Sequence, residues 1–181
     1  MDGKYGISLT RANSGYQNRP GEIMNLQTAR RINRMFREKK LTLSVAESCT
    51  GGLISHYLTA IPGASSFFVA GMVTYSAAAK KSILGIRQRV FTTYGIVSRE
   101  TALQMAEKTR LLTGTDVAVS TTGNLGPELL EGKSKGLIYI AISTRKETVT
   151  LTCRFKGTRG RIKEKAASAA LEFLAGTISD E

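Results

Sequence analysis

The segment SVAESCTGGLISHYL, Ser44–Leu58, joins a short apolar run to an amphipathic run through a polar turn with two glycines. The apolar run predicts a buried strand, and the apolar spacing after the turn predicts a helix. Gly51 and Gly52 leave backbone N–H groups open to close approach at the start of that helix. The segment is therefore either a capped strand-to-helix turn, or a turn that presents Ser48 or Cys49 as a nucleophile beside oxyanion donors.

Strand-like and helix-like segments alternate along the rest of the chain. Because helices separate the first strands and a short turn separates the last two, their order predicts a three-layer α/β/α fold around a mixed, mostly parallel sheet of about five strands. We predict one domain over residues 21–181, preceded by a flexible arm over residues 1–20. Residues 87–97 show no regular pattern. The predicted strands are residues 41–46, 65–76, 116–123, 136–144 and 148–155, and the predicted helices are residues 22–40, 51–63, 77–86, 98–114 and 158–176.

Composition places the chain among globular proteins. It has 181 residues, of which 41% are apolar, and this is enough for one buried core. No stretch approaches the roughly 20 apolar residues of a membrane helix, and the first residues lack the apolar segment of a secretory signal. Because the two cysteines, Cys49 and Cys153, are far apart in sequence, a disulfide framework is unsupported. We expect a soluble, cytoplasmic protein without membrane contacts.

The formal net charge of +12 lies partly in two basic clusters, one within the first forty residues and one over residues 154–165. Such clusters attract nucleic acids or phosphorylated ligands through long-range fields. No helix-turn-helix, zinc-finger or RNA-binding signature accompanies them. We interpret them chiefly as solvated helix faces, and nucleic acid stays a possible but unfavoured partner.

Three predicted loops occupy the position where open α/β sheets place their sites, beyond the carboxyl ends of strands. The third of them is rich in hydroxyl groups and glycine, and it is a plausible cradle for a phosphate or a ribose. It matches neither the Walker A loop nor the dinucleotide-binding pattern. The loops are AESCTGG at residues 46–52, TYSAAAK at residues 74–80 and STTGNLGP at residues 120–127.

The second loop offers Tyr75 and Lys80 as a base for Ser48. A lysine deprotonates a serine only when it is itself neutral. Lowering its pKa from about 10.4 to about 8 costs on the order of 3 kcal/mol, which burial and a neighbouring cation such as Lys81 can impose. The alternative is that Tyr75 packs at a strand end and that both lysines are solvated.

Histidine and metal chemistry are weaker alternatives. His56 is the single histidine, and it follows Ser48 by about two helical turns, so that it points along the predicted helix instead of across at the hydroxyl. We interpret it as a surface or core residue. One histidine and two distant cysteines do not make a zinc site, and we expect neither a metal nor a cofactor.

Four motifs together resemble the CinA C-terminal domain family, whose studied members include nicotinamide mononucleotide deamidases. The resemblance runs from about Leu26 to the C-terminus. It implies an α/β/α fold, a homo-oligomer (dimer or trimer), and metal-free hydrolysis of the amide of nicotinamide mononucleotide to the nicotinate form and ammonia. The motifs are AESCTGGLIS, GMVTYSAAAKKSILGI, YGIVSRETALQMA and FKGTRGRIKEKAA.

Transferred position by position, the resemblance implies Ser48 as the nucleophile, with Lys80 and Tyr75 as the groups that move the proton. It implies Arg159 as a ligand for the substrate's phosphate. The chain departs from the common family pattern at Ala77, Ala78, Asn124, Leu125, Leu129, Leu130 and Thr158. The predicted substrate-binding residues are Glu47, Thr50, Gly51, Gly52, Gly123, Gly126 and Arg159.

Two hypotheses from different classes follow. The first is an amidohydrolase that acts on nicotinamide mononucleotide or a close relative and uses Ser48. The second is a non-catalytic relative that binds a nucleotide, a nucleic acid or a protein through its basic surface. Cys49 as the nucleophile is a third reading, which alkylation of the thiol would test.

Overall fold

The computed structural model describes residues 20–179, which form five strands and six α-helices. The strands are β1 (Leu43–Glu47), β2 (Phe68–Val73), β3 (Val117–Gly123), β4 (Leu137–Ser143) and β5 (Thr148–Arg154). The helices are α1 (Pro20–Glu38), α2 (Leu53–Thr59), α3 (Ala77–Leu84), α4 (Gln88–Tyr94), α5 (Arg99–Thr113) and α6 (Arg159–Ser179). A 3-10 turn, Ala64–Ser66, precedes β2.

The strands form one sheet in the order β2-β1-β3-β4-β5. β1 pairs in parallel with β2 and with β3, and β4 is antiparallel to both β3 and β5. The helical crossovers α2 and α5 allow the parallel pairs, whereas the short β4–β5 turn allows only an antiparallel pair. This confirms the predicted mixed sheet in a single α/β domain.

Helices cover both faces of the sheet. α1, α2 and α6 bury the larger core, in which Phe36, Ile54 and Leu171 are at most 1% exposed. α5 covers the other face, where Met105 packs in a smaller cluster with residues of α3 and α4. Every residue of β1 is buried, as expected for a parallel strand covered on both faces.

The structure departs from the predicted elements at α4, which lies in the stretch that showed no pattern. Phe91 is the buried residue of this seven-residue helix, so the sequence carries no apolar stripe to reveal it. The predicted arm lies outside the described residues, apart from Pro20 at the start of α1. Within residues 20–179, no helix is long and apolar enough to cross a membrane.

The parallel strands bring two of the predicted site loops side by side. Glu47, at the end of β1, is paired with Val73 at the end of β2 and with Thr121 in β3. The Thr74 N–H then donates to the Glu47 carbonyl at 2.9 Å, and the Ser48 N–H donates to the Thr121 carbonyl at 3.0 Å. Ser48 and the segment before α3 therefore meet at the carboxyl edge of the sheet.

Candidate active site

The Lys80 amine contacts the Ser48 hydroxyl. Lys80 Nζ lies 2.8 Å from Ser48 Oγ and 2.8 Å from the Thr74 carbonyl oxygen, and 3.4 Å from the Tyr75 carbonyl oxygen. The Lys80 side chain is fully buried and Ser48 is 7% exposed. Ser76 caps α3 by accepting from the Ala79 N–H, and this fixes the helix turn that carries Lys80.

Burial changes the protonation of this lysine. Removal from water lowers the pKa of Lys80 from 10.5 to about 8, and the Coulomb interaction with Cys49 opposes the shift. This is the value that a lysine base needs. The predicted neighbouring cation is not the cause, because Lys81 is exposed on α3 and burial accounts for the shift.

Glu47 holds the first turn of α2. Its carboxylate accepts from the N–H groups of Gly52 at 2.9 Å, Ile54 at 3.2 Å and Ser55 at 2.9 Å, and from the Ser55 hydroxyl at 2.7 Å. Glu47 is fully buried. A carboxylate at a helix N-terminus satisfies the free N–H groups and matches the helix dipole. Glu47 therefore positions the turn that contains Ser48.

The structure does not bring Glu47 and Thr50 to a cavity wall, as the predicted substrate-binding roles required. Thr50 is fully buried, and its hydroxyl lies 2.8 Å from Thr121 Oγ1. The Glu47 carboxylate is occupied by α2. Both residues therefore lie beneath the turn and support it.

The N–H groups of the two glycines in this turn already donate hydrogen bonds. The Gly51 N–H donates to the Ser48 carbonyl at 3.1 Å, and the Gly52 N–H donates to Glu47. Both glycines have positive φ, 53° and 93°, which suits a residue without Cβ. Among the described residues, no backbone acceptor receives the N–H of Cys49 or Thr50. Because Thr50 is fully buried, the Cys49 N–H, and not those of the glycines, is the donor left for an oxyanion.

Cys49 is an unsuitable nucleophile. Burial raises the pKa of its thiol from 9.0 to about 12, although a hydrogen bond with Thr121 and the charge of Lys80 act in the opposite direction. The thiolate is the reactive form of cysteine. Cys49 therefore stays protonated near neutral pH, whereas the adjacent Ser48 has a base within hydrogen-bond distance.

Ser48 opens into a cavity of about 450 Å³, which we call the Ser48 cavity. This volume is within the range of small-molecule sites. Its walls come from the Ser48 turn, the segment before α5, the loop between β3 and β4, and the start of α6. The lining residues are Ser48, Cys49, Tyr75, Ile96, Val97, Thr122, Gly123, Asn124, Leu125, Gly126, Pro127, Glu128, Leu129, Leu130 and Arg159.

Arg159 joins two walls of the Ser48 cavity. Its Nη2 donates to the Tyr75 phenol oxygen at 2.5 Å, and its Nη1 donates to the Gly126 carbonyl at 2.7 Å. The Tyr75 side chain is 55% exposed, and the contact of this residue with Lys80 is made by its backbone carbonyl. The structure thus places the Tyr75 phenol against Arg159 and not within the Ser48–Lys80 pair.

The loop between β3 and β4 is organised by Asn124, which is 5% exposed. Its side-chain oxygen accepts from the Gly126 N–H at 2.7 Å, and its amide donates to the carbonyls of Glu128 at 2.8 Å and Lys133 at 3.0 Å. The Gly126–Pro127 peptide bond is cis. Gly123 and Gly126 line the Ser48 cavity as backbone.

The same loop is tied to the segment before α5. The Glu131 carboxylate accepts from the N–H groups of Ile96 at 2.9 Å and Val97 at 3.2 Å. Lys133 donates to the carbonyls of Tyr94 and Val97. Gly95 has a φ of 91°, and a Cβ at this position would overlap the Glu131 carboxylate, so this approach requires glycine.

Of the predicted site residues, Ser48 and Arg159 line the cavity, and Lys80 contacts Ser48. The sequence did not identify Asn124 and Glu131 as organisers of the cavity wall. An asparagine directly after a strand is a turn signal that could have identified the first. His56 is exposed on α2 and lines a different cavity. Within residues 20–179, no group of three or more His, Cys, Asp or Glu side chains is placed to hold a metal ion.

The model of the CinA C-terminal domain matches residues 25–178. A competence-damage inducible protein of Caldicellulosiruptor saccharolyticus is 46% identical over 145 residues, which cover 80% of this chain and 35% of that protein. A protein of the same description from Clostridium beijerinckii is 43% identical over 145 residues and covers 79% of this chain and 35% of its own length. The chain thus spans about a third of the length of the curated relatives it matches.

Two crystal structures share the fold over nearly their whole length. Competence/damage inducible protein CihA from Agrobacterium tumefaciens has a TM-score of 0.81 at 38% identity, covering 84% of this chain and 94% of that one. Competence damage-inducible protein A from Klebsiella pneumoniae has a TM-score of 0.83 at 29% identity, covering 86% of this chain and 97% of that one. The chain is thus an α/β protein in which the turn after β1 places a serine hydroxyl beside a buried lysine amine. The chain belongs to the CinA C-terminal domain family.

Proposed function

We propose that the chain is a serine–lysine amidohydrolase that converts nicotinamide mononucleotide to its nicotinate form and ammonia. The observation that carries the proposal is the buried Lys80 amine, held 2.8 Å from Ser48 Oγ beside a cavity of about 450 Å³. A pKa near 8 leaves part of Lys80 neutral at physiological pH. Family membership is consistent with hydrolysis, and both the serine–lysine mechanism and the substrate belong to the proposal.

The reaction proceeds in two halves. Neutral Lys80 takes the proton of Ser48 as Oγ bonds to the carboxamide carbon, and the carbonyl oxygen becomes an oxyanion held by the N–H of Cys49, which lines the cavity. Lys80 then gives the proton to the leaving nitrogen as the C–N bond breaks, which releases ammonia and leaves an ester on Ser48. Water attacks that ester with Lys80 again as the base, and this gives the carboxylate and restores Ser48.

The walls of the Ser48 cavity support a ring-bearing nucleotide. Ile96, Val97 and Leu125 supply an apolar surface for a pyridine ring. Arg159 uses one N–H of each terminal nitrogen for Tyr75 and Gly126, so its remaining donors are available for a phosphate. We therefore assign ring contact to the apolar wall and phosphate contact to Arg159.

Ammonia release from nicotinamide mononucleotide tests the proposal. Wild type should release ammonia, and Ser48→Ala should reduce the rate by on the order of 10⁴-fold or more, because the nucleophile is lost. Ser65→Ala, a change at an exposed serine of the 3-10 turn, is the matched control and should keep the wild-type rate. Folding of each variant is checked by circular dichroism.

A panel of other amides tests the proposed reaction type independently of the proposed substrate. Nicotinamide, nicotinamide riboside and a simple aliphatic amide are assayed beside the nucleotide. Release from another amide, but not from the nucleotide, would retain the amidohydrolase and reject the substrate. No release from any of them, by a protein with a native circular dichroism spectrum, would reject both.

A second function, binding without turnover, is favoured by two exposed apolar side chains at the Ser48 cavity. Leu129 is 69% exposed and Leu130 is 43% exposed, and two adjacent apolar side chains at a cavity give contact area to a ligand or a partner. This function predicts salt-dependent binding of nicotinamide mononucleotide that Lys80→Ala leaves unchanged. Measurable turnover would exclude it.

We also propose that the chain associates with itself. β2 is an edge strand, and its sequence FVAGMV carries no charge or proline to discourage pairing. Val69 and Val73 on this strand are 55% and 50% exposed. Light scattering coupled to size exclusion measures the assembly, and a mass of a single chain at all concentrations would contradict the proposal.

A further inference from the structure

A second cavity, of about 560 Å³, lies where α1, α2 and α6 meet, and we call it the His56 cavity. It shares no lining residue with the Ser48 cavity, and the proposed reaction does not use it. We propose that the His56 cavity binds a phosphorylated small molecule that carries a ring. The lining residues are Gly21, Met24, Asn25, Leu53, His56, Tyr57, Lys156, Arg161, Glu164, Lys165 and Ser168.

One wall of the His56 cavity carries three cations, Lys156, Arg161 and Lys165, against one carboxylate, Glu164. Arg161 and Lys165 are four residues apart on α6, so they lie on the same helix face. Lys165 Nζ donates to the Lys156 carbonyl at 3.4 Å, which brings the third cation's segment to the same place. The wall therefore presents an excess of positive charge to the His56 cavity.

This arrangement is costly without an anion. Like charges four residues apart on a helix repel each other and destabilise it. A phosphate placed between them would offset the repulsion and form charge-assisted hydrogen bonds.

The facing wall has the chemistry of a ring site. Met24 and Leu53 supply apolar contacts, and the rings of His56 and Tyr57 meet edge to face with centroids 5.5 Å apart. Asn25, which is only 3% exposed, also lines the cavity and offers both a donor and an acceptor. Such a combination of apolar surface and few polar groups recognises a heterocycle.

The concave shape favours a small molecule over a nucleic acid. The volume is that of a metabolite site, and the three cations converge on one pocket instead of forming an extended track along the surface. The shared chemistry of ring and phosphate is met by AMP, which carries no carboxamide and so is no substrate for the proposed reaction. AMP is therefore the probe.

Calorimetry on the whole chain tests the proposal, with AMP, adenosine, inorganic phosphate and a single-stranded oligonucleotide as separate arms. The background is Ser48→Ala, so that a failure of the amidase proposal does not affect the result. AMP should bind with one molecule per chain, and adenosine and phosphate alone should each bind more weakly. The double variant Arg161→Ala/Lys165→Ala should weaken AMP binding by roughly tenfold or more.

The matched control is Arg87→Ala/Arg89→Ala, which removes the same charge from exposed residues at the start of α4. AMP binding should persist in this control, and also in Arg159→Ala, which removes the cation of the Ser48 cavity. Equal loss in both double variants would show a net-charge effect and overturn the proposal. Absence of AMP binding, or binding of a single-stranded oligonucleotide alone, would overturn it as well.

Discussion

Lys80 Nζ lies equidistant, at 2.8 Å, from the Ser48 hydroxyl oxygen and the Thr74 carbonyl oxygen. A protonated amine donates to both and has no lone pair to offer. Loss of one proton leaves donors for the carbonyls of Thr74 and Tyr75 and frees the lone pair to accept the Ser48 proton. The carbonyls of Thr74 and Tyr75 thus orient the amine in both protonation states, and only the neutral amine is a base.

The rate of acylation should therefore rise with pH and level off above about 8, the pKa to which burial lowers Lys80. About one tenth of the lysine is neutral at pH 7. The measurement is the pH dependence of kcat/KM for ammonia release. Lys80→Arg, which stays protonated, should be inactive throughout, and a flat wild-type profile between pH 6 and pH 9 would contradict a lysine base.

Stability should depend on pH through the same group. The unfolded chain holds the Lys80 proton up to about pH 10.5 and the folded chain releases it at about 8, so stability rises with pH across that window. The gain is on the order of 3 kcal/mol. This gain should be absent from Lys80→Met. The measurement is the free energy of unfolding in urea, from pH 7 to pH 10.5, for wild type and for Lys80→Met.

The control for this measurement is Lys81→Met, at an exposed position on α3. Its stability should follow wild type at every pH. If the free energy of unfolding changed with pH in the same way in wild type and Lys80→Met, Lys80 would have the same pKa in the folded and unfolded states. Burial of the amine does not allow this.

Glu47→Gln should destabilise the domain by about 2–4 kcal/mol, because an amide cannot replace all the acceptor sites used by α2 and loses the charge at the helix N-terminus. Denaturant unfolding measures the change. Glu38→Gln at the exposed end of α1 is the matched control and should stay within about 0.5 kcal/mol of wild type. A loss of similar size in the control would remove the special role of Glu47.

The Cys49 thiol should resist alkylation. Burial raises its pKa to about 12, so a Cys153→Ser protein treated with iodoacetamide at pH 8 should remain unlabelled while folded and react fully in urea. Mass spectrometry gives the readout. Rapid labelling of folded Cys49, with loss of ammonia release, would restore the thiol as a candidate nucleophile.

Gly95→Ala should disturb the wall of the Ser48 cavity without displacing the proposed general base, Lys80. The new Cβ would meet Glu131, which binds the N–H groups of Ile96 and Val97. We expect a severalfold rise in KM with a smaller change in kcat, because Ser48 and Lys80 keep their places. Gly132→Ala, which is also at positive φ but has open space, is the matched control and should leave KM close to wild type.

The strands, five of the helices and the Ser48–Lys80 pair were predictable because each depends on local pattern or on the rule that parallel strands end at one edge. The roles of Glu47 and Thr50 were not, since an acidic or hydroxyl side chain after a strand looks the same whether it faces a ligand or a helix terminus. The contact of the Tyr75 phenol with Arg159 joins residues 84 positions apart. No spacing rule in the sequence brings such distant side chains together.

Arg159 and Glu131 hold the loop between β3 and β4 from two sides, one at the Gly126 carbonyl and the other at the amides of Ile96 and Val97. The Ser48 cavity is consequently preorganised. A ligand that matches its shape binds without the entropic cost of ordering these two segments. For the proposed reaction, we expect the shape of this cavity to decide which amides bind.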